Sequence, residues 1–124
     1  MKIEVSNGEI VDKLTILLIK KENIKDKEKL KNIQNEINQI EHISNSIVTK
    51  DSEEFIELYE VNKSLWEIED NIRRLELRKQ FDEEFISVAR SVYRNNDKRA
   101  EIKRQINQMS GSELVEEKSY KEYT

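Results

Sequence analysis

The chain has 124 residues, of which 35% are apolar and 39% charged, with two Gly, no Pro and no Cys. One domain is the expectation from length, and the lack of turn residues and cysteines excludes a β-sandwich, a Rossmann domain and a disulfide scaffold. A net charge of −4 argues against a general nucleic-acid binder, which carries a basic footprint.

Residues 1–5, MKIEV, alternate polar and apolar, and read as a short strand or a packed extended arm. Ser6 and Glu9 have the spacing of a capping box, and Val5 and Ile10 that of a hydrophobic staple, so helix 1 starts near Asn7. Ile10, Val11, Leu14, Leu17, Leu18 and Ile24 give it a broad apolar face, the kind a central helix buries. Residues 23–29 are polar and hold the first turn. In helix 2, Leu30, Ile33, Ile37, Ile40 and Ile47 keep a 3–4 spacing, with Ser44 filling one seam position. Residues 49–52 make the next break, with Asp51 and Glu54 as an N-cap and N3 pair.

Helix 3 is the most regular. Leu58, Val61, Leu65, Ile68, Ile72 and Leu75 form a heptad seam, which Phe55 and Trp66 widen. Asp82 caps helix 4, whose buried side is Phe85, Ile86, Val88, Ala89 and Val92. Asn95, Asn96 and Asp97 compete for backbone hydrogen bonds and interrupt the helix. Helix 5 then carries Ile102, Ile106 and Met109 and ends at Gly111. Residues 112–124 form a C-terminal tail that Leu114, Val115, Tyr120 and Tyr123 either dock or leave loose.

The expected fold is all-α: an antiparallel helical bundle or helical hairpin array of about four to five helices with a short extended N-terminal arm, in one domain spanning 1–124. One thin chain does not cover every stripe, so the helix 3 seam predicts a homodimer. No run approaches the roughly 18 apolar residues of a membrane span. The segment MKIEVSNGEI lacks the apolar core of a signal peptide. The expected location is the cytoplasm.

Arginine is unevenly placed. Arg73, Arg74, Arg78, Arg90, Arg94, Arg99 and Arg104 all fall within residues 73–104, and the first 72 residues use only Lys as cation. Residues 73–104 carry a local net charge of +4 and residues 51–70 one of −7. Arginine offers a flat fork that grips carboxylate or phosphate. Arg90 and Arg94 share a helix face. Tyr93 adds a ring or hydroxyl, and Asn96, Asp97 and Arg99 follow at the expected turn. Arg90, Tyr93, Arg94, Asn96, Asp97 and Arg99 are therefore the candidate site, for an anionic small molecule or a protein partner. The competing structural account pairs these cations with the acidic residues 51–70.

Two other places are weaker. Glu67 and Asp70 share a face beside Trp66 and could act as acid and base or hold a hard cation. The structural account makes Trp66 a core anchor and pairs the carboxylates with Arg73 or Arg74. His42, the only histidine, lies off the helix 2 seam and is expected to be exposed and non-catalytic. Without Cys and with one His, no metal and no cofactor site is expected. Gly8 and Gly111 cannot build a phosphate loop.

The blocks GEIVDKLTILLIK (8–20), LWEIEDNIR (65–73), FISVARSVYRNNDKRAEIKRQIN (85–107) and GSELVEEKSY (111–120) resemble an uncharacterised family of short helical proteins of bacteria and some phages, classed as a domain of unknown function. The resemblance runs along nearly the whole chain. It implies no activity, and associates members only with surface-polysaccharide assembly. The segment DEEFISVARSVYRNN (82–96) is more loosely similar to the last helix of helical chorismate mutases. Those enzymes hold a dicarboxylate with Arg and Lys, but the Arg expected early in their first helix is replaced here by Lys13, Lys20 and Lys21. Three function classes follow: a non-catalytic accessory or interaction protein, a small enzyme on an anionic metabolite, and a phage or bacterial structural component.

Overall fold

The computed structural model describes residues 1–119. They form four helices and no strand: α1 (Asn7–Asn23), α2 (Lys27–Ile47), α3 (Glu53–Leu77) and α4 (Glu83–Ser110). The fold is all-α. Tyr120 and Tyr123 lie outside the described residues. Residues 1–5 carry no regular structure and are exposed, so the alternation of MKIEV does not pack.

α1 begins as its cap spacing predicts. The Ser6 hydroxyl accepts from the Glu9 backbone N–H at 3.2 Å. The Glu9 side chain does not close the capping box but turns to Lys103 on α4. α3 starts one residue later than expected. Ser52, not Asp51, accepts from the Phe55 N–H at 3.2 Å, while Asp51 takes the Thr49 hydroxyl. Ser52 is the better cap because it leaves Phe55 at N3, where that ring is buried.

The expected break at Asn95–Asp97 does not occur, and the two last expected helices are one. Asn95 turns its amide onto the Ser91 carbonyl at 2.8 Å, satisfying itself on its own helix. Ile102 and Ile106 are buried in the shared core, and this packing outweighs the low helix propensity of three short polar residues.

α1 is the hub and touches each of the other three helices. The core sits around it: Val11, Leu14 and Leu17 meet Ile33 and Ile37 of α2, Phe55 and Leu58 of α3, and Ile102 and Ile106 of α4. α1 runs antiparallel to α4, with Glu9 on Lys103 and Asp12 on Arg99. At 17 residues α1 is about 26 Å long, whereas α4 at 28 residues reaches about 42 Å. The end of the α3–α4 hairpin therefore projects past the core. Between residues 63 and 101 only Leu75 is buried. The heptad seam of α3 is used within the chain, against α1 and α4, and much of it is only half-buried. Ile86, expected inside, is 54% exposed, and Met109 also faces out.

The hairpin turn is closed by a residue other than glycine. Lys79 has φ 56°, and the Gln80 N–H reaches the Leu75 carbonyl at 3.0 Å, the long bond of a Schellman motif. Asp82 then caps α4 by accepting from the Phe85 N–H, which holds its carboxyl below the usual range. At the other end Gly111 supplies the left-handed residue, at φ 68°.

Candidate functional site

Sequence groups six residues, and the continuous α4 distributes them. Arg90 and Arg99 are nine residues apart, which is half a turn around the helix axis. Arg90, Tyr93 and Arg94 stay together on the outer face of the projecting hairpin. Arg99 faces α1. Asn96 and Arg99 border a second groove with Ala100, Lys103 and Lys118. Asp97 accepts from Lys118 at 2.8 Å.

Around Arg90 and Arg94 the surface is a shallow groove of about 370 Å³, completed by Glu83, Ile86 and Ser87. The Tyr93 phenol stands beside Arg90 and Arg94, and these cations lower its pKa below that of an ordinary phenol. The Arg94 guanidinium carbon lies 6.0 Å from the Tyr93 ring centre, at the limit of a cation–π contact. Among the described residues no carboxylate forms an ion pair with Arg90 or Arg94, and no cation pairs with Glu83.

Arg99 is already engaged. Its Nε donates to Asp12 Oδ1 at 2.8 Å and its Nη2 to Oδ2 at 2.5 Å, a bidentate grip. The Asp12 carboxylate, 1% exposed, raises the Arg99 pKa further. Asn62 of α3 donates to Asp12 Oδ1 at 2.9 Å and to the Thr15 hydroxyl at 2.8 Å. One polar network thus ties α1, α3 and α4 together inside the core.

Beside this network lies a concavity of about 450 Å³, walled by Ile16, Ile19, Leu65 and Trp66. Asn62 and Arg99 reach it from the network, and Glu69, Asp70 and Arg73 border it. Trp66 is half-buried and lines this cleft rather than anchoring the core. Arg73 pairs with Glu69 at 3.4 Å, Arg74 donates to Asn71, and among the described residues Asp70 has no ion-pair partner. Of the arginine-rich block, only Arg73 pairs with residues 51–70. Arg104 pairs with Glu117 instead. His42 is exposed. No cluster of three or more His, Asp or Glu residues that could hold a metal ion occurs among the described residues, and no helix there is long and apolar enough to cross a membrane.

The tyrosines give a direct reading of these environments. Tyr59 donates to Glu22 at 2.5 Å, and that bond pushes its pKa up to about 12. In a spectrophotometric titration of the folded protein, Tyr93 should ionise before Tyr59. Arg90→Gln should move the early component upward, and Tyr59→Phe should remove the late one. Because the Tyr59 pKa is raised on folding, its contribution to stability is present below pH 10.0 and is lost as pH climbs towards about 12.

Residues 1–123 match the model of a family of unknown function, DUF6165, and the chain belongs to that family. No curated protein and no solved structure matches it.

Proposed function

We propose that this member of the family is a non-catalytic helical interaction protein of the cytoplasm that takes an anionic group, a phosphate or carboxylate, on Arg90, Tyr93 and Arg94. One observation supports this best: two guanidiniums one helical turn apart, on an exposed face, flank a phenol whose pKa they lower and have no carboxylate ion-pair partner among the described residues. Such a pair matches the geometry of a carboxylate or phosphate and leaves its charge available to a partner. The site is open to water, which suits binding better than the enclosed charge stabilisation that catalysis requires.

The test is thermal stability at constant ionic strength with sulfate, phosphate, sugar phosphates and nucleotide sugars. The sugar compounds are included because the family resemblance associates members with surface-polysaccharide assembly. An anion at ten times its Kd adds about 1.4 kcal/mol, which raises Tm by about 4 °C for a domain of this size. The rise should vanish in Arg94→Ala. No rise with any anion rejects the reading.

The Trp66 cleft favours a second reading, a small enzyme on an anionic metabolite. Its volume suits a small ligand, and it brings an unpaired Asp70 beside Arg73 and Arg99. Trp66 is the only tryptophan, so chorismate and prephenate can be screened by its fluorescence. An unchanged spectrum with both disfavours this reading.

A further inference from the structure

The outer stripe of α4 is self-complementary. Glu83, Ile86, Ser87, Arg90 and Arg94 line one groove, and their spacing is that of a single helical face. All five are exposed. The acid stands at one end and the cations at the other. Seven and eleven residues of helix separate Glu83 from Arg90 and Arg94, about 10 and 16 Å of rise. Within one chain these charges cannot neutralise each other, and no other described residue pairs with Glu83 or supplies a carboxylate to either arginine.

We propose that this stripe is an isologous interface, on which the α4 of a second copy of this chain lies antiparallel and supplies Glu83 as the anion for Arg94. This rests on the reading of Arg90 and Arg94 as an anion-taking pair and names the partner of that site. A two-fold axis passing between Val88 and Ala89 sets Glu83 of each copy opposite Arg94 of the other. The same axis sets Ser87 opposite Arg90. Every pairing is therefore made twice, as closed two-fold symmetry requires. Ser87 is small enough for the helices to approach closely. The exposed Ile86 then packs against the aliphatic stem of Arg90 from the second copy, which explains an isoleucine on the water side of α4. The hairpin projects beyond the rest of the chain, so two copies can meet here without their bodies colliding.

Sedimentation equilibrium of the full chain at about 0.1 mM, where an interface of micromolar Kd is mostly paired, tests this. The wild type should be a dimer that weakens as salt rises. Glu83→Arg and Arg94→Glu should each create two like-charge contacts and raise the dimer Kd roughly a hundredfold. The double variant Glu83→Arg/Arg94→Glu should restore the dimer, and that restoration separates lost pairing from lost folding. A monomeric wild type overturns the proposal. So does a dimer indifferent to the single reversals, a double variant that stays monomeric, or growth beyond two copies. Retention of sulfate binding by a monomeric wild type would leave the anion reading standing while this inference falls. Loss of both would remove the two together.

Discussion

Replacing Arg99 by Ala should cost about 3–5 kcal/mol, the loss expected when one member of a buried pair is removed. Asp12 is 1% exposed and has only Asn62 besides Arg99 to hold its charge. Without the guanidinium the carboxylate must stay unpaired in the core, take a proton or open the α1–α4 contact. A fall in Tm of about 10–20 °C should accompany the change. The two partners differ in exposure. The Arg99 side chain is 29% exposed against 1% for Asp12. Asp12→Ala should therefore cost less than Arg99→Ala, because the freed guanidinium still reaches water. Urea unfolding of both variants checks the order. A loss below about 1 kcal/mol for Arg99→Ala would mean that the pair contributes nothing beyond a surface ion pair.

Gly8→Ala should be the second severe change. Alanine is the better helix former by about 1 kcal/mol, yet here its Cβ would stand 2.6 Å from the Lys103 carbonyl oxygen and 3.0 Å from Asn107 Oδ1. The first of these is backbone, so α1 and α4 must move apart. That movement also strains the 2.6 Å bond from the Gly8 N–H to Asn107. A net loss of about 2–3 kcal/mol follows, as for other overpacked contacts. Gly111 provides the contrast. Nothing lies within 4 Å of its Cβ position, and its only demand is φ 68°. Gly111→Ala should cost about 1 kcal/mol, the left-handed penalty alone. Parallel thermal melts of the two variants separate steric from conformational need. Equal losses would remove the close-approach argument.

The helices were legible because their signals are local. Ser6 before a helical period, the 3–4 spacing of Ile33 and Ile37, and the alternating steps from Leu58 to Leu75 each follow from neighbours in sequence. What failed was local signal overruled by distant packing. Asn95, Asn96 and Asp97 look like a break until Ile102 and Ile106 are seen to need the same helix as Val92. Ile86 looks like a core residue because the period cannot say which side of a lone hairpin has no neighbour. The Asp12 network was missed although one clue was present. An acid and Thr15 interrupt the apolar face that holds Val11 and Leu14, and a charge on a core face must find a partner. The identity of that partner, 87 residues away, is a matter of tertiary packing. Of the candidate site, the Arg90–Tyr93–Arg94 cluster needed only helical spacing. The place of Arg99 needed the unbroken helix.

The projecting hairpin gives the molecule two levels of rigidity. Residues 7–62 and 102–110 share a core, whereas the stretch between them contributes one buried side chain, Leu75. Local opening free energy follows buried contacts, and Arg99 stays with the body through Asp12, so the amides of residues 67–98 should exchange with solvent through an opening that leaves the body folded. A protease should cut first near Lys79, at the exposed left-handed turn. The same turn can accept an inserted peptide or a reporter at little cost to the body. The arm can thus vary in length or tip sequence without endangering the fold that carries it.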